Sequence, residues 1–158
     1  YKSGKYTIER PLHFGATLAG ASNELIGAYT KYGIPLGEAF QLRDDVLGVF
    51  GDPAETGKPA GDDLREGKRT VLMAVAIDRA DAVQEKELKS GLGNPDLNAA
   101  QVEKIQEIIS QTGALAHIEL MIEELTNTSL SALNFDEVHP VGKDLLTQLA
   151  VLATSRKI

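Results

Sequence analysis

The 158 residues contain no cysteine and no tryptophan, and histidine occurs only at His13, His117 and His139. Without cysteine there is no disulfide framework, zinc-thiolate site, thiol nucleophile or iron-sulfur cluster. The three histidines are too scattered to suggest a metal triad. No apolar run reaches the roughly 20 residues that a membrane span requires, and no stretch alternates apolar and polar residues as a half-buried strand would. Basic residues are also in short supply: 16 Lys and Arg against 23 Asp and Glu give a formal charge of −7. That balance disfavours nonspecific binding to nucleic acid or to an anionic membrane. An anionic ligand would need a local cation.

What is present is 42% hydrophobic residues, sufficient for the core of one ordinary domain. Apolar residues recur mostly at three-to-four spacing, so the reading is all-α, a helical bundle. The pattern predicts helices over about 8–31, 35–50, 70–89, 98–112, 114–133 and 139–155. Gly33 and Pro35 in "KYGIP" are expected to end the first helix and open the second. The segment "GDPAETGKPAGDDLREGK", 51–68, reads as a loop of a length that compact domains seldom keep without a use. A second break, "SGLGNPDLN" at 90–98, reads as an ordinary connection with Asn98 as a helix N-cap. The chain begins "YKSGKYT" without an initiator Met, so it is expected to be a piece of a longer protein, and the lack of a signal peptide carries no weight.

The stretch "FQLRDDVLGVFGD", 40–52, places adjacent carboxylates within otherwise core-like sequence. At 100° per residue with Gln41 as zero, Asp44 falls near about −60°, Asp45 near about +40° and Gly48 near about −20°. These four share one stripe. Ala39, Leu42, Val46, Val49 and Phe50 gather on the far side, and Arg43 points away from the stripe. A solvated helix usually shows a broad face with Lys and Glu mixed, whereas this stripe is narrow, acidic and free of Lys. Two nearby carboxylates repel unless a cation lies between them. Mg²⁺ suits the position, because it takes oxygen ligands, keeps several waters and is typically held by one or two carboxylates with phosphate oxygens.

Directly after the stripe, Lys58, Asp62, Asp63 and Lys68 lie among Gly57, Gly61 and Gly67, which let the backbone approach a ligand closely. Lysine is a compact point charge suited to phosphate. A shared metal-diphosphate site is the reading that joins stripe and loop. Upstream, "YKSGKYTIERP" puts Lys2 and Tyr6 at i and i+4, on one face if helical, with the Ser3 hydroxyl beside them.

Taken together, these segments resemble the trans-isoprenyl diphosphate synthases, and within them the actinobacterial geranylgeranyl and polyprenyl diphosphate synthase type. "KSGKYTIERP" is similar to that family's Lys-Thr segment, "FQLRDDVLG" to its second aspartate-rich motif FQxxDDxLD, and "TGKPAGDDLREGKRT" to the lysine loop behind it. The resemblance covers the C-terminal half of a family member. It implies an all-α bundle of the isoprenoid synthase type that works as a cytoplasmic homodimer. It implies that Asp44 is a direct Mg²⁺ ligand, that Asp45 supports the ion and that Asp62 helps to hold it through water. Lys2, Lys58 and Lys68 would contact the diphosphate of the allylic substrate as the catalytic cations. Tyr6 and Gln41 would line the same site, and Ser3 stands where the family usually has Thr. Gly48 stands in the place of the third Asp of the second motif.

The activity so implied is condensation of isopentenyl diphosphate with an allylic diphosphate to a longer trans-prenyl diphosphate such as geranylgeranyl diphosphate. The first aspartate-rich motif of the family is not in this sequence, so the missing N-terminal half is an implied partner. Without that half, the apolar faces of "LHFGATLAG" and "VLMAVAI" are expected to lack partners. Two other readings stay open: a class I terpene cyclase, whose second metal motif would need Asp52 on the same stripe, and a non-catalytic subunit of a heteromeric synthase.

Overall fold

Asp52, Thr70, Asp81, Asn98 and His139 each cap the start of a helix with a side-chain acceptor, and left-handed Gly57 and Gly67 close two of the helices. A computed structural model describes residues 4–57 and 59–155, except for the side chains of residues 55 and 56. A π-helical turn, Lys5–Glu9, leads into α1, Arg10–Leu18, and α2, Asn23–Phe50. Two short helices follow, α3 at Pro53–Thr56 and α4 at Asp62–Glu66. The remainder are α5 (Val71–Arg79), α6 (Ala82–Gly91), α7 (Ala99–Gln111), α8 (Ala114–Ala132) and α9 (Pro140–Thr154). The described residues contain no strand, and the all-α expectation holds.

The described chain divides into two units, residues 4–41 with 121–155, and residues 42–120. In the first, Tyr32, Leu36, Leu133, Val138 and Ala150 form a buried cluster. Tyr32 O–H donates to the Leu146 carbonyl at 2.7 Å, and Ser129 O–H donates to the Tyr32 carbonyl at 2.7 Å. Burial pushes the Tyr32 hydroxyl up to about 12, so the phenol remains a neutral donor. In the second, Val46, Val49, Leu64, Leu72, Leu88 and Ile109 are fully enclosed.

Three predicted helices, 8–31, 35–50 and 70–89, have other ends than expected. The break expected at Gly33 and Pro35 falls instead at Gly20, whose φ of 74° lies in the left-handed region that glycine tolerates. Helix α2 runs on through Pro35, at the loss of one backbone bond, since proline has no N–H to offer. Gly33 is a contact glycine: a Cβ there would sit 2.9 Å from the Glu9 Cα, and one on Gly37 would overlap the Gly4 backbone. The predicted helix over 70–89 divides at Ala80, because Asp81 and Gln84 form a capping box that starts α6 afresh. Asn98 caps α7 in the same way, as expected.

These glycine contacts give a direct test. Gly37→Ala forces a side chain against backbone that cannot swing aside, at a cost of about 1–3 kcal/mol. That exceeds the roughly 1 kcal/mol gained by replacing glycine within a helix. Gly27→Ala meets nothing within 4 Å, so it should raise the melting temperature while Gly37→Ala lowers it by several degrees.

Candidate metal and diphosphate site

The acidic stripe and the lysine loop fold within the same unit, residues 42–120. Along α2 the far side of the stripe is core as expected, with Leu42, Val46 and Val49 buried. Asp45 is buried and Asp44 is exposed, so only one of the two carboxylates is withdrawn from water. Arg43 points away from them and donates from both Nη atoms to the two carboxylate oxygens of Glu119, each at 2.6 Å. This bidentate pair neutralises a buried guanidinium and fixes the rotation of the helix that carries Asp44 and Asp45.

Helix α2 stops at Phe50, and Asp52 turns out to cap α3, its carboxylate accepting from the Ala54 N–H at 2.8 Å. Asp52 is therefore not on the stripe, and the cyclase pattern lacks its final carboxylate. The segment after it is more structured than an open loop. Helix α4 is closed by Gly67 at φ 72°, whose Cα side lies so near Gly93 that a Cβ would come within 3.0 Å of the Gly93 Cα. Gly93 N–H donates to the Leu64 carbonyl at 2.8 Å, and Arg65 donates to the carbonyls of Leu97 and Ala60. The break at 90–98, expected to be an ordinary connection, is a brace for the lysine loop.

Lys68 is not a bare cation. Its Nζ lies 2.5 Å from Asp63 Oδ1 and 3.2 Å from Glu66 Oε2. The hydrogen bond to Asp63, more than any other influence, holds the ammonium protonated well above the usual lysine range. Asp63 itself is buried, and its carboxylate lies against Gly48 on α2. Lys68 is thereby tied through Asp63 to the helix of the acidic stripe. Sequence reasoning placed neither this link nor the Arg43–Glu119 pair. The one available signal was a second Asp, Asp63, in the lysine loop.

Asp62 begins α4 and is partly buried. Among the described residues no three acidic or histidine side chains gather closely enough to hold a metal ion. Asp44 and Asp45 offer hard oxygen donors on one helix, which fits a cation that draws the rest of its shell from water and phosphate. Lys2, Ser3 and Lys58 lie outside the described residues. Tyr6 and Gln41 belong to the other unit. There Tyr6 is exposed and borders a cavity of about 460 Å³ with Lys5, Arg10, Pro11 and Phe14, and Lys5 pairs with Glu9 at 3.3 Å.

A family model described as "Polyprenyl synthetase" matches residues 1–109. The geranylgeranyl diphosphate synthase of Saccharolobus solfataricus is 35% identical over 124 residues, 74% of this chain and 37% of that protein. The geranylfarnesyl diphosphate synthase of Aeropyrum pernix is 39% identical over 112 residues, 71% of this chain and 34% of that protein. A geranylgeranyl pyrophosphate synthase from Corynebacterium glutamicum, solved in complex with isoprenyl diphosphate and magnesium, matches with a TM-score of 0.94 and 46% identity. That match covers 99% of this chain and 44% of the other. The chain thus spans less than half the length of these relatives. With the all-α fold, the acidic stripe and the braced lysine loop in one unit, the chain belongs to the polyprenyl synthetase family.

Proposed function

We propose that these residues form the allylic-diphosphate side of a Mg²⁺-dependent prenyltransferase that joins isopentenyl diphosphate to an allylic diphosphate. The observation that carries this reading is the link from Lys68 through Asp63 to Gly48, which docks the lysine loop on the helix bearing Asp44 and Asp45. Asp44 and Asp45 would hold Mg²⁺, with Asp62 acting through water. When bound, the ion would stabilise the negative charge that grows on the departing diphosphate. Lys68, with Lys58 and Lys2, would bind the same oxygens and stabilise that charge from the protein side. Tyr6, Ser3 and Gln41 would complete the lining. No side-chain nucleophile is required, in keeping with a chain that has no cysteine.

Relatives more than twice as long support a further part of this reading: the site needs an N-terminal half with its own acidic motif, and the 158 residues alone are inactive. The family likeness also supports a homodimer and a cytoplasmic location. The retained Asp44, Asp45 and Lys68 favour a catalytic chain over a non-catalytic subunit. The test is to incubate the full-length protein with Mg²⁺, isopentenyl diphosphate and allylic diphosphates of increasing length; absence of any longer prenyl diphosphate would refute the assignment. Lys58→Ala and Lys68→Ala should each raise the apparent Michaelis constant for the allylic substrate by roughly ten- to a hundredfold, as for a lost charge-assisted contact of about 1.5–3 kcal/mol. The constant for isopentenyl diphosphate should change much less, and equal effects on both substrates would count against the lysine assignment.

A further inference from the structure

Position 48 is a glycine on the face of α2 that carries the acidic stripe, and the room beside it is filled by another residue. A Cβ added to Gly48 would overlap both the Cγ and the Oδ2 of Asp63. Asp63 is only 5% exposed, so its carboxylate has no open solvent into which to retreat. Its other oxygen, Oδ1, holds the Lys68 ammonium at 2.5 Å. An aspartate has two side-chain torsions, and turning it away from position 48 also carries Oδ1 off the ammonium. The size of residue 48, the placement of Asp63 and the placement of Lys68 are therefore mechanically linked.

The link bears on what Lys68 can do. A free lysine samples many rotamers and gives up about 2 kcal/mol of side-chain entropy when held. The contact with Asp63 removes that freedom before any ligand arrives, which is preorganisation. An ammonium has three N–H donors. Asp63 takes one, and Glu66, at 3.2 Å and half exposed, is a weaker second partner. The Lys68 side chain remains 42% exposed, so the ammonium keeps a face open to an anion.

We infer that Asp63 is a positioning residue that aims Lys68 at the allylic diphosphate, and that glycine at position 48 is the space this arrangement requires. The inference rests on the reading of Lys68 as a diphosphate ligand, and two separate readouts keep the two apart.

The experiment uses the full-length protein and four variants: Lys68→Ala, Asp63→Asn, Gly48→Ala, and the double variant Gly48→Asp/Asp63→Ala, which moves a carboxylate into the same space from the other side. The first readout is the ammonium resonance of isotopically labelled lysine, assigned to Lys68 by its loss in Lys68→Ala. It should be protected from solvent exchange in the parent and in the double variant, and lost in Asp63→Asn and Gly48→Ala. The second is steady-state kinetics. Asp63→Asn, which keeps the side-chain shape, and Gly48→Ala should each raise the allylic Michaelis constant about tenfold, the size of one weakened charge-assisted contact. Turnover at saturation should fall less, and the double variant should recover most of the loss. An unchanged resonance and constant in Gly48→Ala would break the link between position 48 and Lys68. A lower allylic constant in Asp63→Asn would mean that Asp63 competes with the diphosphate, and the inference would fall. If Lys68→Ala leaves the allylic constant unchanged, Lys68 is no diphosphate ligand and the aiming role fails with it, while the resonance still decides whether Asp63 and Gly48 hold the lysine.

Discussion

Asp44→Asn in the full-length protein is expected to lower turnover by about two orders of magnitude or more, the scale seen when one preplaced stabilising group is lost, and to leave the melting temperature nearly unchanged. The two effects part company because of where the residue lies. Asp44 is exposed, and surface substitutions usually change stability by no more than about 0.5 kcal/mol. Removing its charge also relieves repulsion from Asp45, the next residue on the same helix. In the proposed role as a Mg²⁺ ligand, however, it would act when charge builds on the leaving diphosphate, so its loss would be felt in the transition state. Asp45→Asn should behave differently: Asp45 is buried, so the fold and the rate should suffer together. Turnover at saturating Mg²⁺ beside a melting curve decides the matter, and an Asp44→Asn protein that turns over like the parent removes Asp44 from the ligand set.

How much of this could be read beforehand depends on the distance over which each interaction acts. The apolar side of α2 was legible, because helical periodicity alone assigns Leu42, Val46 and Val49 to one face, and all three are buried. The start of α7 was equally local, set by the Asn98 cap. Gly33 misled because glycine answers two demands. It can end a helix by turning left-handed, or it can admit a neighbouring backbone, and only the tertiary position of Glu9 distinguishes the two. The interactions that shape the candidate site were the least legible. Arg43 meets Glu119 at a separation of 76 residues, and no local pattern announces such a partner. Gly48 carried a false signal of absence: a missing side chain in one motif turned out to be a space occupied by Asp63 from the next.

The 158-residue chain produced alone is expected to make no prenyl diphosphate and to be poorly behaved in solution. The exposed apolar surface is specific. On α1, Phe14 and Leu18 are one turn apart, and Leu18 is 89% exposed. On α9, Val141, Leu145, Leu149 and Leu152 follow four, four and three residues apart, one continuous stripe along the helix, all of them exposed. A cavity of about 980 Å³ opens in the same unit, with Ile34, Pro35, Ala132 and Phe135 among its lining. Covering one such side chain is worth about 1.5–3 kcal/mol, against a total stability of only about 5–15 kcal/mol for an ordinary domain. The expectation for "LHFGATLAG" is met by Phe14 and Leu18. That for "VLMAVAI" needs correction, since Leu72, Met73 and Ala76 are already buried and only Val71 and Ala74 are exposed. The chemical reason for inactivity is separate from the packing reason. In the proposed reading, a Mg²⁺ ion held by Asp44 and Asp45 would, with Lys68, neutralise one side of a diphosphate, whereas its departure requires charge to be balanced all round. Adding the N-terminal half, fused or as a second polypeptide, should cover the stripe on α9 and restore activity together. The measurement is product formation from isopentenyl and dimethylallyl diphosphates with Mg²⁺, for the chain alone and with that half, beside light scattering for its state of association. Longer prenyl diphosphates from the chain alone, at a rate comparable to the reassembled protein, would show that its own acidic stripe and lysine loop are sufficient.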